Sequence, residues 1–160
     1  MDFLNKILTL LARGTFLKAC TAMIQNNKPR NSLLDENSIM NPDQLQWIVE
    51  FSIKRGKQAE FERLAKEISD MVRRSEPGTR KYEWFLNKKE NRCVVIETYD
   101  SSITGIYHVN GEAIKKLFPE ILKIAKITRF EVCGNPSQEL VNQLADVDAI
   151  VYQFIGGFSR

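Results

Sequence analysis

The chain has 160 residues, 43% hydrophobic and 27% charged, the balance of an ordinary folded domain rather than of a disordered or membrane-embedded chain. Its formal charge is +3, and five Lys/Arg (Lys6, Arg13, Lys18, Lys28, Arg30) against three acids (Asp2, Asp35, Glu36) place +2 of that within residues 1–39. The remainder is close to neutral, with no basic stripe interleaved with aromatics, which argues against a nucleic-acid partner.

Phe3, Leu4, Ile7, Leu8 and Leu11 form an apolar stripe at helical spacing that is too short to span a bilayer. The Pro/Asn-rich stretch that follows, with Pro29 and later Asn41-Pro42, reads as a linker. Residues 1–43 are therefore expected to be an extension and linker, and residues 44–160 the folded domain. The first 39 residues are expected to be dispensable for the fold, a translated upstream stretch with Met40 as the true start.

Trp47, Val49, Phe51 and Ile53 alternate with polar residues, which predicts a first strand. Phe61, Leu64, Ala65, Ile68, Met71 and Val72 recur at three and four residues, an amphipathic helix closed by Pro77-Gly78. Residues 79–86 and 92–99 alternate around a polar turn and read as a hairpin. Ser101 or Ser102 caps a helix that reaches His108 and Val109, and Asn110-Gly111 interrupts it. The helical pattern resumes at Glu112. Pro119 is expected to open a further turn, because proline in a helix interior loses a hydrogen bond and clashes. Thr128, Phe130 and Val132 mark a fourth strand. A small helix after Asn135-Pro136-Ser137 and a strand over 149–155 follow. The order β-α-β-β-α-β predicts an α+β fold: a ferredoxin-like antiparallel sheet with a C-terminal helix–strand extension. The sheet's second face also holds large apolar residues, so a second copy of the chain is the natural cover, giving a homodimer.

Cys20, Cys93 and Cys133 are an odd number without C-x-x-C spacing, which fits a reduced, cytoplasmic protein with neither a disulfide framework nor a structural metal site. No phosphate-cradling glycine loop or nucleophile elbow is present. His108 is the only imidazole, and a neutral imidazole is suited to taking a proton near physiological pH. A helix histidine that merely fills the packing between helix and sheet is the competing reading. Tyr82, Trp84 and Tyr99 would wall a pocket if their alternation faces inward, or else form core or interface. Glu50, Glu83 and Glu97 fall mid-strand, where an ionised group needs a partner; Arg80, Lys81, Arg92 and Arg129 are the candidates.

The segment from Tyr99 to His108 and Val109, Glu97 in Ile96-Glu97-Thr98-Tyr99, and the closing Gly-Gly-Phe-Ser-Arg resemble the antibiotic biosynthesis monooxygenase family, including its quinol monooxygenase members. The resemblance covers roughly residues 44–160 and implies a dimeric α+β barrel. It also implies a monooxygenase without flavin, metal or other cofactor, which oxidises a small phenolic or quinol compound with molecular oxygen. On that resemblance His108 would be the base and Glu97 would orient it, while Trp84, Tyr82 and Tyr99 would bind substrate. A non-catalytic ligand-binding or stress-response dimer of the same fold is the first alternative. Haem degradation is the second, set back by Glu50 and Ser52 where such relatives carry a first-strand asparagine.

Overall fold

A computed structural model describes residues 43–157, so the expectations for residues 1–39, Met40 and Cys20 lie outside the described residues. The chain forms β1 (Leu45–Ile53), α1 (Gln58–Ser75), β2 (Thr79–Asn87), β3 (Arg92–Tyr99), α2 (Ser102–Val109), α3 (Glu112–Ile124), β4 (Ala125–Cys133), α4 (Gln138–Leu144), a 3₁₀ turn (Ala145–Val147) and β5 (Ile150–Tyr152). The strands lie in the order β2-β3-β1-β4-β5. β1 to β4 pair antiparallel, as the ferredoxin-like reading requires.

Strict alternation gives β1 its two faces. Leu45, Trp47, Val49, Phe51 and Ile53 are buried, and the residues between them are half-buried on the other face. The inward row packs beneath α1, through Phe61, Leu64, Ile68 and Val72, and α3, through Ile114, Leu117, Ile121 and Ile124. A second cluster, Leu45, Trp47, Tyr99, Val132, Leu140 and Leu144, fills the end of the sheet where α4 docks.

Three expectations are corrected. Pro119 lies inside α3 and does not open a turn. The helix loses one backbone hydrogen bond there, a cost of about 3 kcal/mol, whereas burying four aliphatic side chains yields about 1.5–3 kcal/mol each, so packing wins over local propensity. Thr128 does not share a face with Phe130 and Val132. The β1–β4 register shifts between Glu50 and Phe51, which leaves Thr128 unpaired and brings Ile127 opposite Phe51. The last strand is only Ile150–Tyr152 and pairs parallel to β4, because α4 carries the chain back along the sheet before it re-enters.

Among the described residues, no helix is long and apolar enough to cross a membrane.

Candidate functional site

The site is built where α2 crosses the inner face of the sheet. α2 begins at Ser101, whose backbone N–H donates to Thr104 Oγ1 at 3.0 Å. Two glycines let it come close. A Cβ on Gly78 would collide with Thr104 Cγ2, and one on Gly105 would lie 3.1 Å from the Trp47 ring and 3.2 Å from Leu140. α2 is thus seated on the turn that ends α1 and against the first strand. His108, in its last turn, points inward and is only 4% exposed.

The imidazole is enclosed by aromatic rings, with centroids of Tyr99 at 5.2 Å, Tyr82 at 5.4 Å and Trp47 at 6.1 Å. Its two nitrogens meet two buried carboxylates. Nδ1 lies 2.7 Å from Glu76 Oε2, and Nε2 lies 3.8 Å from Glu97 Oε2, beyond hydrogen-bond reach. Glu97 Oε2 instead accepts the hydroxyl of Tyr99. Burial pushes the Glu97 carboxyl above the usual carboxylate range, opposed by His108 and by the Tyr99 hydrogen bond. Burial, then the charge of Glu97, pushes both Tyr82 and Tyr99 well above the ordinary phenol range, so neither phenol ionises near neutral pH.

Beside this cluster lies a cavity of about 60 Å³, lined by Trp47, Phe51, Tyr82, Trp84, Glu97 and His108 from the sheet side and α2, and by Phe118, Gln143, Leu144 and Val147 from the other helices. The lining is apolar apart from Glu97, His108, Gln143 and the tips of Tyr82 and the tryptophans. The indole N–H groups of Trp47 and Trp84 are buried without a partner, two donors that a ligand oxygen would satisfy.

Of the five residues singled out by sequence, the structure brings His108, Glu97, Tyr82 and Trp84 to one cavity. Tyr99 is not on its wall. It is fully buried behind Glu97, to which it donates. Trp47, expected only as a buried strand residue, joins the lining. Glu76 went unnoticed, because Glu76-Pro77-Gly78 reads as a helix stop. The signal available was a carboxylate placed directly at that stop, where the chain reverses toward the sheet. The other mid-strand acids are accounted for on the outer face: Glu50 pairs with Arg92 and Arg129, and Glu83 lies 3.6 Å from Lys81. Arg80 instead clamps Asp100 through two bonds, of 2.7 and 2.6 Å.

Comparison with known proteins agrees with this fold. Residues 47–119 match the antibiotic biosynthesis monooxygenase family. Among solved structures, the chain is similar to MupZ from Pseudomonas fluorescens at 21% identity and a TM-score of 0.63, covering 74% of this chain and 95% of that one. It is also similar to SnoaB, a cofactor-independent oxygenase from Streptomyces nogalater, at 14% identity and a TM-score of 0.52, covering 60% of this chain and 96% of that one. At these identities the likeness speaks for the fold. No curated protein matches the chain.

Proposed function

We propose that the protein is a cofactor-independent monooxygenase that oxidises a small phenolic or quinol compound with molecular oxygen, working as a homodimer in the cytoplasm. The observation that carries this reading is the chain's only histidine, buried against an aromatic-lined cavity with Nε2 free of any hydrogen-bonded partner among the described residues. His108 Nε2 takes the hydroxyl proton of the substrate, and the electron pair stays on the phenolate oxygen. The electron-rich phenolate then reduces oxygen itself. The ring gains one oxygen atom and loses two hydrogens, and the second oxygen atom leaves as water.

The chain's part is to supply the base, a water-poor cavity and donors for the anion. Tyr82 and Trp84 offer ring faces for a planar substrate. Glu97, held by Tyr99, borders the reacting oxygen and limits where it sits. The enclosed space is smaller than the ~150 Å³ apolar cavity known to hold benzene, so a ring enters with outward movement of the α4 wall around Gln143 and Leu144.

A non-catalytic ligand-binding dimer is the second reading, favoured by the near-complete burial of His108 and its bond to Glu76. A crystal soaked with a planar hydroquinone separates the two. The oxygenase reading expects a substrate hydroxyl within about 3 Å of His108 Nε2. A ligand bound only away from His108, or none at all, contradicts it.

A further inference from the structure

Glu76 is 3% exposed, and the functional reading above gives it no part. It is the residue immediately after α1. Its backbone N–H bonds to Val72 O at 2.9 Å and its carbonyl accepts from Thr79 N–H at 3.0 Å, so the side chain leaves a fixed backbone. Pro77 and Gly78 then turn the chain beneath α2, which sets the carboxylate directly under the imidazole. Glu76 Oε2 receives the Thr79 hydroxyl at 3.0 Å and faces His108 Nδ1 at 2.7 Å. Its other oxygen, Oε1, is buried with no partner, so these two bonds alone orient the carboxylate.

An ionised carboxylate only accepts hydrogen bonds. Glu76 Oε2 already accepts the Thr79 hydroxyl, and with the same oxygen accepting in the 2.7 Å contact, Nδ1 carries the hydrogen, which in the neutral imidazole leaves Nε2 as the bare lone pair. Nε2 is also the nitrogen on the side of Glu97 and the cavity.

We propose that Glu76 is the positioning residue of the site: it holds His108 in the Nδ1–H tautomer, presents Nε2 to the ligand as proton acceptor, and stabilises the imidazolium formed when the proton arrives. The proposal rests on His108 being the base. In the step itself, the ligand O–H bond breaks, an N–H bond forms at Nε2, and the positive charge lies between Glu76 on one side and the ligand oxyanion on the other. The orienting carboxylate does for His108 what a third group does for any nucleophile–base pair: it selects one nitrogen as the acceptor and fixes where it points. The titratable groups facing the ring are Glu76 from the end of α1, Glu97 and Tyr99 from β3, and Tyr82 from β2. Replacing Glu76 removes one of the two carboxylates.

The chain has one histidine, so imidazole nitrogen resonances of the full-length protein are unambiguous. In ¹⁵N-labelled wild type, the neutral ring is expected to show a protonated Nδ1 and an unprotonated Nε2. Glu76→Leu, which offers Nδ1 no acceptor, is expected to lose that preference. Glu76→Gln, nearly isosteric and still carrying an acceptor oxygen, is expected to hold the tautomer closer to wild type. Where turnover is present, kcat in Glu76→Leu should fall more than KM changes.

A wild-type ring protonated at Nε2 when neutral overturns the proposal even if the variants fail to fold. So does an unchanged tautomer in Glu76→Leu. Loss of turnover in His108→Gln alongside an unchanged ring in Glu76→Leu would discard Glu76 and leave His108 as base. A Glu76-dependent tautomer in a protein that turns over no phenol would uphold Glu76 as the group that sets the ring and discard the oxygenase reading.

Discussion

Glu97 places a carboxyl that burial drives toward its neutral form beside an imidazole suited to accept a proton, so the site holds an acid and a base side by side in apolar surroundings. That arrangement has a consequence for stability. The folded Glu97 titrates above its ordinary value of 4.5, so in the range between the two values the folded state binds the proton more tightly than the unfolded chain does. Its contribution is fully present below about pH 4.5 and is lost as pH rises through the folded value. Glu97→Gln stays neutral throughout and keeps an acceptor for Tyr99. The thermal midpoint of the variant relative to wild type should therefore move upward between pH 4 and pH 8. A difference that is flat with pH, or that moves the other way, contradicts the assignment of Glu97 as the buried acid. His108, Glu97, Tyr82 and Trp84 were legible in the sequence because strand alternation and helical spacing put them on the inward side. Tyr99 shares that alternation but lies one pair further along β3, behind Glu97, a distinction that period alone does not make. Glu76 was not legible, since its inward aim follows from a turn whose direction is set only when α2 packs on it.

At the scale of elements, the site depends on how closely α2 can approach. Gly78 and Gly105 remove the Cβ atoms that would hold it away from the α1–β2 turn, from Trp47 and from α4. Gly78→Ala forces Thr104, and α2 with it, to shift, and overpacking of this kind costs about 1–3 kcal/mol. The thermal midpoint should fall, and the 2.7 Å contact between His108 and Glu76 should lengthen in a crystal structure of the variant. Adding Thr104→Ser removes the Cγ2 that the new methyl strikes while keeping the hydroxyl that caps α2, and should recover part of the loss. A Gly78→Ala protein as stable as wild type with the contact intact would show that α2 has slack. The order of elements and the boundaries of α2 were legible from local signals such as Ser101, Asn110-Gly111 and Pro77-Gly78. Pro119 and the Thr128 bulge were not. In both cases a local rule yields to packing: the apolar stripe of α3 in one, the inward demand of Ile127 against Phe51 in the other.

At the scale of the whole molecule, the described residues form a five-stranded sheet that they cover with helices on one face only. On the opposite face Ile48, Val94 and Ile96 are half-buried among charged side chains, and Phe85 is 52% exposed. Ile48 lies directly across from Ile96, and the Glu50–Arg92–Arg129 group beside them is largely paired within the chain. A surface of paired charges and aliphatic side chains suits a second sheet more than open water. Light scattering should therefore give twice the chain mass of 18.5 kDa, and Ile96→Asp should halve it. A monomer in the wild type at micromolar concentration would rule out the barrel.

Oxygen uptake tests the central claim that His108 is a base acting on a phenol in this cavity. Wild type and His108→Gln are assayed against a panel of planar phenols and hydroquinones, with thermal melts confirming that the variant is folded. The account predicts oxygen consumption by the wild type matched by quinone formation with at least one member of the panel. It predicts that consumption to fall by about 10²-fold or more in the variant, the loss expected when a general base is removed. Equal oxygen uptake by folded wild type and His108→Gln would contradict it.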